Sequence, residues 1–374
     1  MNGVCLDVNP EGCVAGVRAW IDAEKASPAL AAGPQSVLVL GASGGYGLAA
    51  RVVAAFGGRA QTFGVSFERA PTTVRPATPG WYNNLAFDAA ADEAGLLAET
   101  LVADAFLDAT RKTVIERARA CGFRPFDLVV YSLAAPVRVD PATGALHRSA
   151  IKPLGQAFTG HSLDMMTGQL SDITVDPATP EECAATVKVM GGEDWLLWCR
   201  ALHGAGLLAP GATTVALSYI GPALTHAIYR SGTLGKAKEH LEQTASEIGA
   251  LLADLRGRAY VSVHKALVTR ASSVIPGMPP YLCALYQVMK AKGLQEGCVE
   301  QMDRLFRERL YAGGPVPVDA AGRIRLDDRE LREDVQAEVA SILSRLTSES
   351  VARETDLAGY RRESLALYGF DPGA

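Results

Sequence analysis

The chain has 374 residues, a formal net charge of -5, and 48% hydrophobic residues. That apolar share supplies a full core and excludes global disorder, while the acidic balance argues against non-specific nucleic-acid binding. No run of about 18 uncharged apolar residues occurs, so no membrane span is expected.

The chain does not open with a basic segment and an apolar stretch, so no signal peptide is expected. Seven cysteines lie scattered, with no Cys-x-x-Cys pair. They fit reduced thiols in a cytoplasmic protein. Neither they nor the histidines show metal-ligand spacing, so no metal site is expected.

Residues 1–34 read as an N-terminal appendage with a short helix over Val17 to Lys25, broken by Pro28 and the Ala-Ala-Gly-Pro run at 31–34. Ser36 to Leu40 is a continuous apolar strand. Gly41-Ala42-Ser43-Gly44-Gly45-Tyr46-Gly47 follows at once, then a helical stretch to Phe56. Gly41 and Gly45 allow backbone angles and approaches that a side chain forbids. Gly47 lets the helix pack near the strand. The helix start then offers free N–H groups and a positive dipole end to a pyrophosphate. The alternative is a plain tight turn between strand and helix.

Gln61 to Phe67 is a second strand ending at Glu68-Arg69. An acidic residue about twenty positions past such a loop meets the adenosine ribose and repels a 2′-phosphate, which favours NADH. Arg69 softens that repulsion, and a solvated strand end is the bland alternative. A proline-rich loop spans 71–79, and a helix is expected over 86–97. Thr100 to Ala103 is a third strand, with Asp104-Ala105 at its end as an adenine contact. After a helix over 107–121, Phe126 to Tyr131 forms a fourth strand. Small residues follow it at Ser132-Leu133-Ala134, where ligands lie in doubly wound sheets.

Residues 137–178 read as loop with weak strands, and 137–212 as a substrate-covering insertion. Its helices start at Pro180 and Glu193, and Trp195 and Trp198 read as core. Thr213 to Tyr219 is a fifth strand and Ala259 to Val268 a sixth. Between them runs a helix from Gly235 to about Arg256. Thr269 to Pro276 then turns across the expected nicotinamide end. Helices are expected at 278–291, 295–311, 328–347 and 357–368. The fold class is α/β, one Rossmann-type doubly wound parallel sheet, with a helical extension over 276–374.

Tyr219 to Lys238 carries the chemistry. A phenol near an ammonium gives up its proton more readily, and Tyr229 and Lys238 supply both. A second pair, Tyr286 and Lys290, has the three-residue gap of ketoreductases. Its helical spacing makes it an ordinary pair of neighbours, so Tyr286→Phe is expected to disturb local packing alone.

These motifs identify a resemblance. Gly41 to Gly47, Phe67-Glu-Arg69, Asp104-Ala-Phe106, Tyr131-Ser-Leu-Ala-Ala-Pro136 and Met190-Gly-Gly-Glu-Asp-Trp195 carry its first half. Tyr229 to Lys238, Val268-Thr-Arg-Ala-Ser-Ser273 and Glu296-Gly-Cys298 carry the second. The chain resembles the trans-2-enoyl-CoA reductases and the related single-chain bacterial enoyl-[acyl-carrier-protein] reductases, large members of the short-chain dehydrogenase/reductase superfamily. The resemblance covers about 5–370. It implies NADH-dependent reduction of the 2,3 double bond of a trans-2-enoyl thioester, in fatty acid or specialised acyl-chain biosynthesis. It implies Tyr229 as proton donor, Lys238 as active-site lysine and Tyr219 at the acyl thioester. The implied cofactor set is Gly41 to Gly47, Phe67, Glu68, Asp104, Ala105, Ser132, Leu133, Ala134, Lys238, Leu267, Val268 and Thr269.

The chain departs from that family at Glu239, where a second lysine is common, at Arg270, where glutamine is common, and at His264, where an aliphatic residue is common. Asn9-Pro-Glu-Gly-Cys13 stands where Thr-His-Pro-x-Gly-Cys is common, and the family's usual acidic extension is not expected past Ala374. The carrier (CoA or acyl carrier protein), the acyl chain and the oligomeric state stay open, with a monomer allowed. Neither flavin nor metal is expected. The rival readings are a ketoreductase and a catalytically silent NADH-binding protein.

Glu68 generates the first prediction. NADH is expected to give a higher kcat/KM than NADPH in steady-state assays. Glu68→Ala should narrow that preference and raise the KM for NADH.

Overall fold

The computed structural model describes residues 7–270, 272 and 275–370. Cys5, Ala271, Ser273 and Val274, which fall in motifs or turns named above, lie outside the described residues.

Helix α1 (Pro10–Ala26) starts earlier than its apolar pattern. Asn9 caps it by accepting from the Gly12 N–H, and Pro10 fits the first turn, where its missing N–H costs nothing. Strand β1 (Ser36–Leu40) is buried at all five positions. Val37 and Val39 face one apolar cluster, and Leu38 and Leu40 face the other. That is the period-two signature of a strand covered on both sides. Each such side chain contributes about 1.5–3 kcal/mol by leaving water.

Helix α2 (Gly45–Val52) follows, then a π-helical turn at Val53–Gly57. Next come β2 (Gln61–Ser66), α3 (Pro79–Glu93), β3 (Ala98–Val102), α4 (Asp108–Ala120) and β4 (Phe126–Tyr131). The start of α3 lies seven residues before the expected 86, because Pro79 opens it. The 137–178 stretch forms two antiparallel hairpins. These are β5 (Val137–Val139) with β6 (Leu146–Arg148), and β7 (Phe158–Leu163) with β8 (Leu170–Val175).

Helices α5 (Pro180–Met190) and α6 (Glu193–Gly204) lead to β9 (Leu208–Ser218), then α7 (His226–Tyr229), α8 (Thr233–Leu251) and β10 (Arg258–Val263). Helix α9 (Met278–Ala291), α10 (Cys298–Arg304), a two-residue strand β11 (Ile324–Arg325), α11 (Glu333–Leu343), α12 (Val351–Glu354) and α13 (Leu357–Ala366) complete the described chain.

The main sheet has seven strands in the order β11-β10-β9-β4-β1-β2-β3, and every pair in it is parallel. The order reverses at β1 and β4, so a crevice opens beyond their carboxyl ends. Strand β11 was not expected, being too short to show a period. The sixth strand stops at Val263 rather than Val268. Beyond it, the Ala266 and Val268 N–H groups bond side chains instead of a neighbouring strand. Helix α1 packs on α2 and α3 through Val17, Ile21, Val52 and Phe87, so it is part of the layer over that half of the sheet. No helix among the described residues is long and apolar enough to cross a membrane.

The crevice depends on one close approach. A Cβ at Gly47 would sit on the Gly41 carbonyl oxygen and 3.3 Å from the Ser132 Cβ. The obstacle is backbone, which cannot swing away. Gly47→Ala is expected to cost about 1–3 kcal/mol of stability through overpacking. A lowered Tm together with weakened NADH binding is the result to look for.

Candidate active site

Two backbone turns form the floor of the site. Gly41 has φ +90 and Gly45 φ +52, conformations open to glycine. Gly41 and Ala42 donate their N–H groups to the Val65 carbonyl, which ties the loop to β2. Ser132 donates its N–H to the Leu40 carbonyl at 2.8 Å. A Cβ at Gly41 would meet the Ser132 carbonyl and lie 3.4 Å from the Leu133 side chain. The sequence-predicted Gly41, Gly47, Ser132 and Leu133 therefore meet at the switch point. Ala134 lies exposed just beyond.

Glu68 leaves the end of β2. Its Oε1 accepts the Ser43 hydroxyl at 2.6 Å, and its side chain is 5% exposed. Its Oε2 is buried and has no protein partner. A buried carboxylate oxygen without a donor is costly, and the two hydroxyls of a ribose are donors of the right kind. The ion-pair partner of Glu68 is Arg270, at 3.6 Å, rather than the adjacent Arg69. Phe67 points outward and is 77% exposed.

Asp104 is occupied locally. Its carboxylate accepts the Phe106 N–H at 2.9 Å and its carbonyl accepts the Thr110 hydroxyl. The Ala105 carbonyl accepts the Trp198 indole N–H at 3.0 Å. Both residues thus shape the turn after β3.

The loop after β10 closes the opposite side. Tyr46 donates its hydroxyl to the Lys265 carbonyl at 2.9 Å, which joins the glycine loop to it. The Thr269 methyl would lie 3.7 Å from a Cβ at Gly45. Ser272 accepts the Thr269 N–H and donates to the Leu267 carbonyl. The buried Tyr286 hydroxyl accepts the Val268 N–H at 2.9 Å. This corrects the expectation for Tyr286→Phe, which would also orphan a buried amide. Tyr286 is fully buried in α9, and Lys290 bonds the Asp356 carboxylate at 2.6 Å. That pair is structural.

Tyr219, Tyr229 and Lys238 follow β9. The Tyr219 and Tyr229 rings pack edge to face, with centroids 4.6 Å apart at 86°. Tyr229 ends α7 and Lys238 lies in α8, nine positions on (229 to 238). On one unbroken helix that is about 2.5 turns, which would put them on opposite faces. The break between α7 and α8 removes that constraint. Gly232 sits in it, paired with Pro153, and a Cβ at Gly235 would collide with the Arg230 carbonyl.

The electrostatics differ from the sequence expectation. Burial pushes the Tyr229 phenol well above its ordinary value, and the Glu330 charge pushes it further. No hydrogen bond joins Tyr229 to Lys238 among the described residues. Burial pulls the Lys238 ammonium down to about 8, opposed by Glu242 one turn away. Tyr219 donates its hydroxyl to Glu330 at 2.8 Å. Glu330 was not anticipated; it lies in a charged stretch, Asp327-Asp328-Arg329-Glu330, that reads as solvated surface.

Comparison with known proteins agrees with this geometry. The family description "Trans-2-enoyl-CoA reductase catalytic region" matches residues 75–311, and "NAD(P)H binding domain of trans-2-enoyl-CoA reductase" matches 1–73. The trans-2-enoyl-CoA reductase [NADH] of Treponema denticola is 53% identical, over 99% of this chain and 94% of that protein. The chain belongs to the trans-2-enoyl-CoA reductase family. The enoyl-[acyl-carrier-protein] reductase [NADH] of Flavobacterium johnsoniae is 51% identical over 98% of this chain and 92% of that protein. The crystal structure of the Treponema denticola reductase in complex with NAD superposes with a TM-score of 0.94 at 52% identity, covering 99% of this chain and 94% of that one. The Clostridium acetobutulicum trans-2-enoyl-CoA reductase in complex with NADH gives 0.96 at 44% identity, covering 100% and 94%.

A third description, "Enoyl reductase FAD binding domain", matches residues 318–373. The described part of this segment does not fit a flavin. Gly322 faces open space, while the Cβ positions of Gly359 and Gly369 are filled by Asp356 and by the Asn9 carbonyl. Its buried carboxylates Asp327 and Glu330 are spent on Arg325 and on two tyrosines. No strand, glycine turn and helix in sequence occurs there. No group of three or more His, Cys, Asp or Glu among the described residues could hold a metal ion. The glycine turns and the unpartnered Glu68 oxygen do fit NADH.

Lys238 generates a pH prediction. Its ammonium is protonated below about 8 and neutral above it. If it bonds the cofactor ribose, NADH affinity falls as pH rises through that value. Fluorescence titration of NADH over roughly pH 6.5 to 9.5, which spans that value, checks this. Lys265 is also pulled to about 8 by burial, so Lys238→Met must abolish the dependence for the assignment to hold.

Proposed function

We propose that the chain reduces the 2,3 double bond of a trans-2-enoyl thioester of CoA or acyl carrier protein, using NADH. One observation carries this reading. A glycine-lined turn with a buried, unpartnered Glu68 oxygen and the packed Tyr219 and Tyr229 rings both follow carboxyl ends of strands in one parallel sheet, in which β9 lies next to β4. Membership in a family with NADH-named relatives supports it.

Gly41 to Gly47 lets the cofactor backbone approach, and the N-terminus of α2 faces its pyrophosphate. Glu68 accepts from the adenosine ribose, and Lys238 holds the nicotinamide ribose. Bound NADH supplies a hydride to C3 of the enoyl group. Negative charge then develops on the thioester oxygen. Tyr229 donates its phenol hydrogen bond to that oxygen and passes it a proton; the enol then takes a proton at C2 and releases the one on oxygen, which leaves the saturated thioester. A phenol held neutral by burial is a donor at working pH. One donor aimed at a developing oxyanion is worth about 3 kcal/mol. Tyr219 has its hydroxyl directed at Glu330, so Tyr229 is the acid of the pair.

Room for the acyl chain lies beside these tyrosines. A cleft of ≈ 560 Å³ runs between the 221–226 turn and Leu331, Gln336, Ala337 and Ala340. An apolar hollow of ≈ 140 Å³ adjoins it across Leu224, walled by Phe158, Leu170, Tyr281, Leu343 and Leu346. Apolar walls and few polar groups suit a hydrocarbon tail.

The test is NADH oxidation with crotonyl and longer enoyl thioesters on CoA and on carrier protein. Tyr229→Phe deletes only the hydroxyl, so kcat should fall on the order of 10²-fold or more while NADH affinity survives. Lys238→Met should damage both kcat and cofactor binding. The double variant should lose less than the product of the single losses, because the residues act as a unit. Near-normal turnover of Tyr229→Phe when hydride transfer is rate-limiting would remove Tyr229 as the acid.

A further inference from the structure

A carboxylate from the far end of the chain sits behind the reacting tyrosines. Glu330, between β11 and α11, is 0% exposed. Its Oε1 accepts the Tyr219 hydroxyl at 2.8 Å and the Tyr281 hydroxyl at 2.6 Å. Its Oε2 accepts the Ala266 N–H at 2.6 Å. Gln336 locks the arrangement by donating to the Glu330 carbonyl at 2.7 Å and to the Tyr281 oxygen at 3.3 Å. One buried carboxylate therefore joins three parts of the site: the tyrosine packed edge to face against Tyr229, a wall of the apolar hollow, and the loop after β10.

We propose that Glu330 is a positioning residue for enoyl reduction, acting through Tyr219. Burying a carboxylate is expensive and pushes its pKa up, and three donors with a nearby Lys265 offset that cost. Packing alone would be met more simply by a leucine. The carboxylate does something a leucine cannot, because it commits the direction of three hydrogen bonds. The Tyr219 proton points at Glu330, away from the thioester. Tyr219 then meets Tyr229 with its ring, edge to face at 4.6 Å, and does not compete for the substrate oxygen. The turn at Gly221, with φ +74, folds over the same hydroxyl, so that a Cβ there would lie 2.7 Å from it. The glycine backbone thus runs close over the Tyr219 hydroxyl. The negative charge also helps keep Tyr229 protonated, which suits a hydrogen-bond donor. This inference rests on Tyr229 being the acid.

Glu330→Gln preserves shape and reverses polarity. The amide oxygen can still accept from Ala266, but its NH₂ must then face the phenol oxygens as a donor. The Tyr219 proton is released toward the site. Kinetics of Glu330→Gln, Tyr219→Phe, their double variant and Tyr229→Phe, together with NADH titrations, test the proposal. Glu330→Gln and Tyr219→Phe should each lower kcat about tenfold, with NADH affinity changed less than about twofold. The double variant should be no slower than the slower single, since both break one device. Full kcat in Glu330→Gln, losses that multiply, or NADH affinity falling as far as kcat would each overturn the proposal. If Glu330→Gln does not fold, Tyr219→Phe decides. A lower kcat at unchanged enoyl KM supports the brace, and a raised KM at unchanged kcat overturns it. Full turnover in Tyr229→Phe overturns the acid assignment and this proposal together. An inactive Tyr229→Phe beside a fully active Glu330→Gln overturns this proposal alone.

Discussion

The contact of backbone with backbone at Gly41, Gly47 and Ser132 is the constraint on which the cofactor crevice depends. Three segments, the end of β1, the start of α2 and the end of β4, pass so close that a single methyl group does not fit. The tightness is the reason the helix N-terminus reaches the switch point of the sheet. The fully buried β1 holds one side in place and the bonds from Gly41 and Ala42 to Val65 hold the other. The crevice is therefore shaped by main chain, and side chains such as Glu68 are added to a floor that is already rigid.

The roof is made differently. The apolar run after β10 looks like more strand, yet no neighbour continues the ladder past Val263 except for single bonds at His264 and Leu326. Its N–H groups are taken one by one by side chains: Lys265 by Gln301, Ala266 by Glu330, Val268 by Tyr286. Each partner comes from the region beyond residue 278. The floor and the roof meet where Tyr46 bonds the Lys265 carbonyl and its ring packs on His264, with centroids 4.6 Å apart. His264 is buried, and burial holds its pKa down to about 3, so in place of an aliphatic residue it acts as a neutral flat wall.

The parts of this molecule that were legible in its sequence obey local rules. Buried strands ending in glycine announce themselves, as do the dinucleotide loop and the spacing to Glu68. The starts of α1 and α3 carry a local signal too, in Asn9-Pro10 and Thr78-Pro79, because a cap and a first-turn proline mark a helix start more sharply than the apolar period does. What stayed hidden is long-range. Glu330 sits in a run of charges, and its burial depends on Tyr219, 111 residues away, and Tyr281, 49 away. The Arg270 partner of Glu68 and the two-residue β11 carry no pattern of their own. Tyr229 misled in another way: the sequence put a cation beside it, whereas the fold surrounds it with apolar groups and an anion.

The order of the chain also sets the order in which its parts become available during synthesis. The floor of the crevice is complete once β4 and its following turn have left the ribosome, since β1, β2 and β4 are already in hand. The roof is not. Ala266 and Tyr219 are made early, but the carboxylate that fixes both is made more than sixty residues after Ala266 (266 to 330). A nascent chain can thus form a nucleotide-shaped crevice while its tyrosines are still unbraced. Chains emerge N-terminal first, so the carboxylate that braces Tyr219 is made after the floor of the crevice and the rest of its roof.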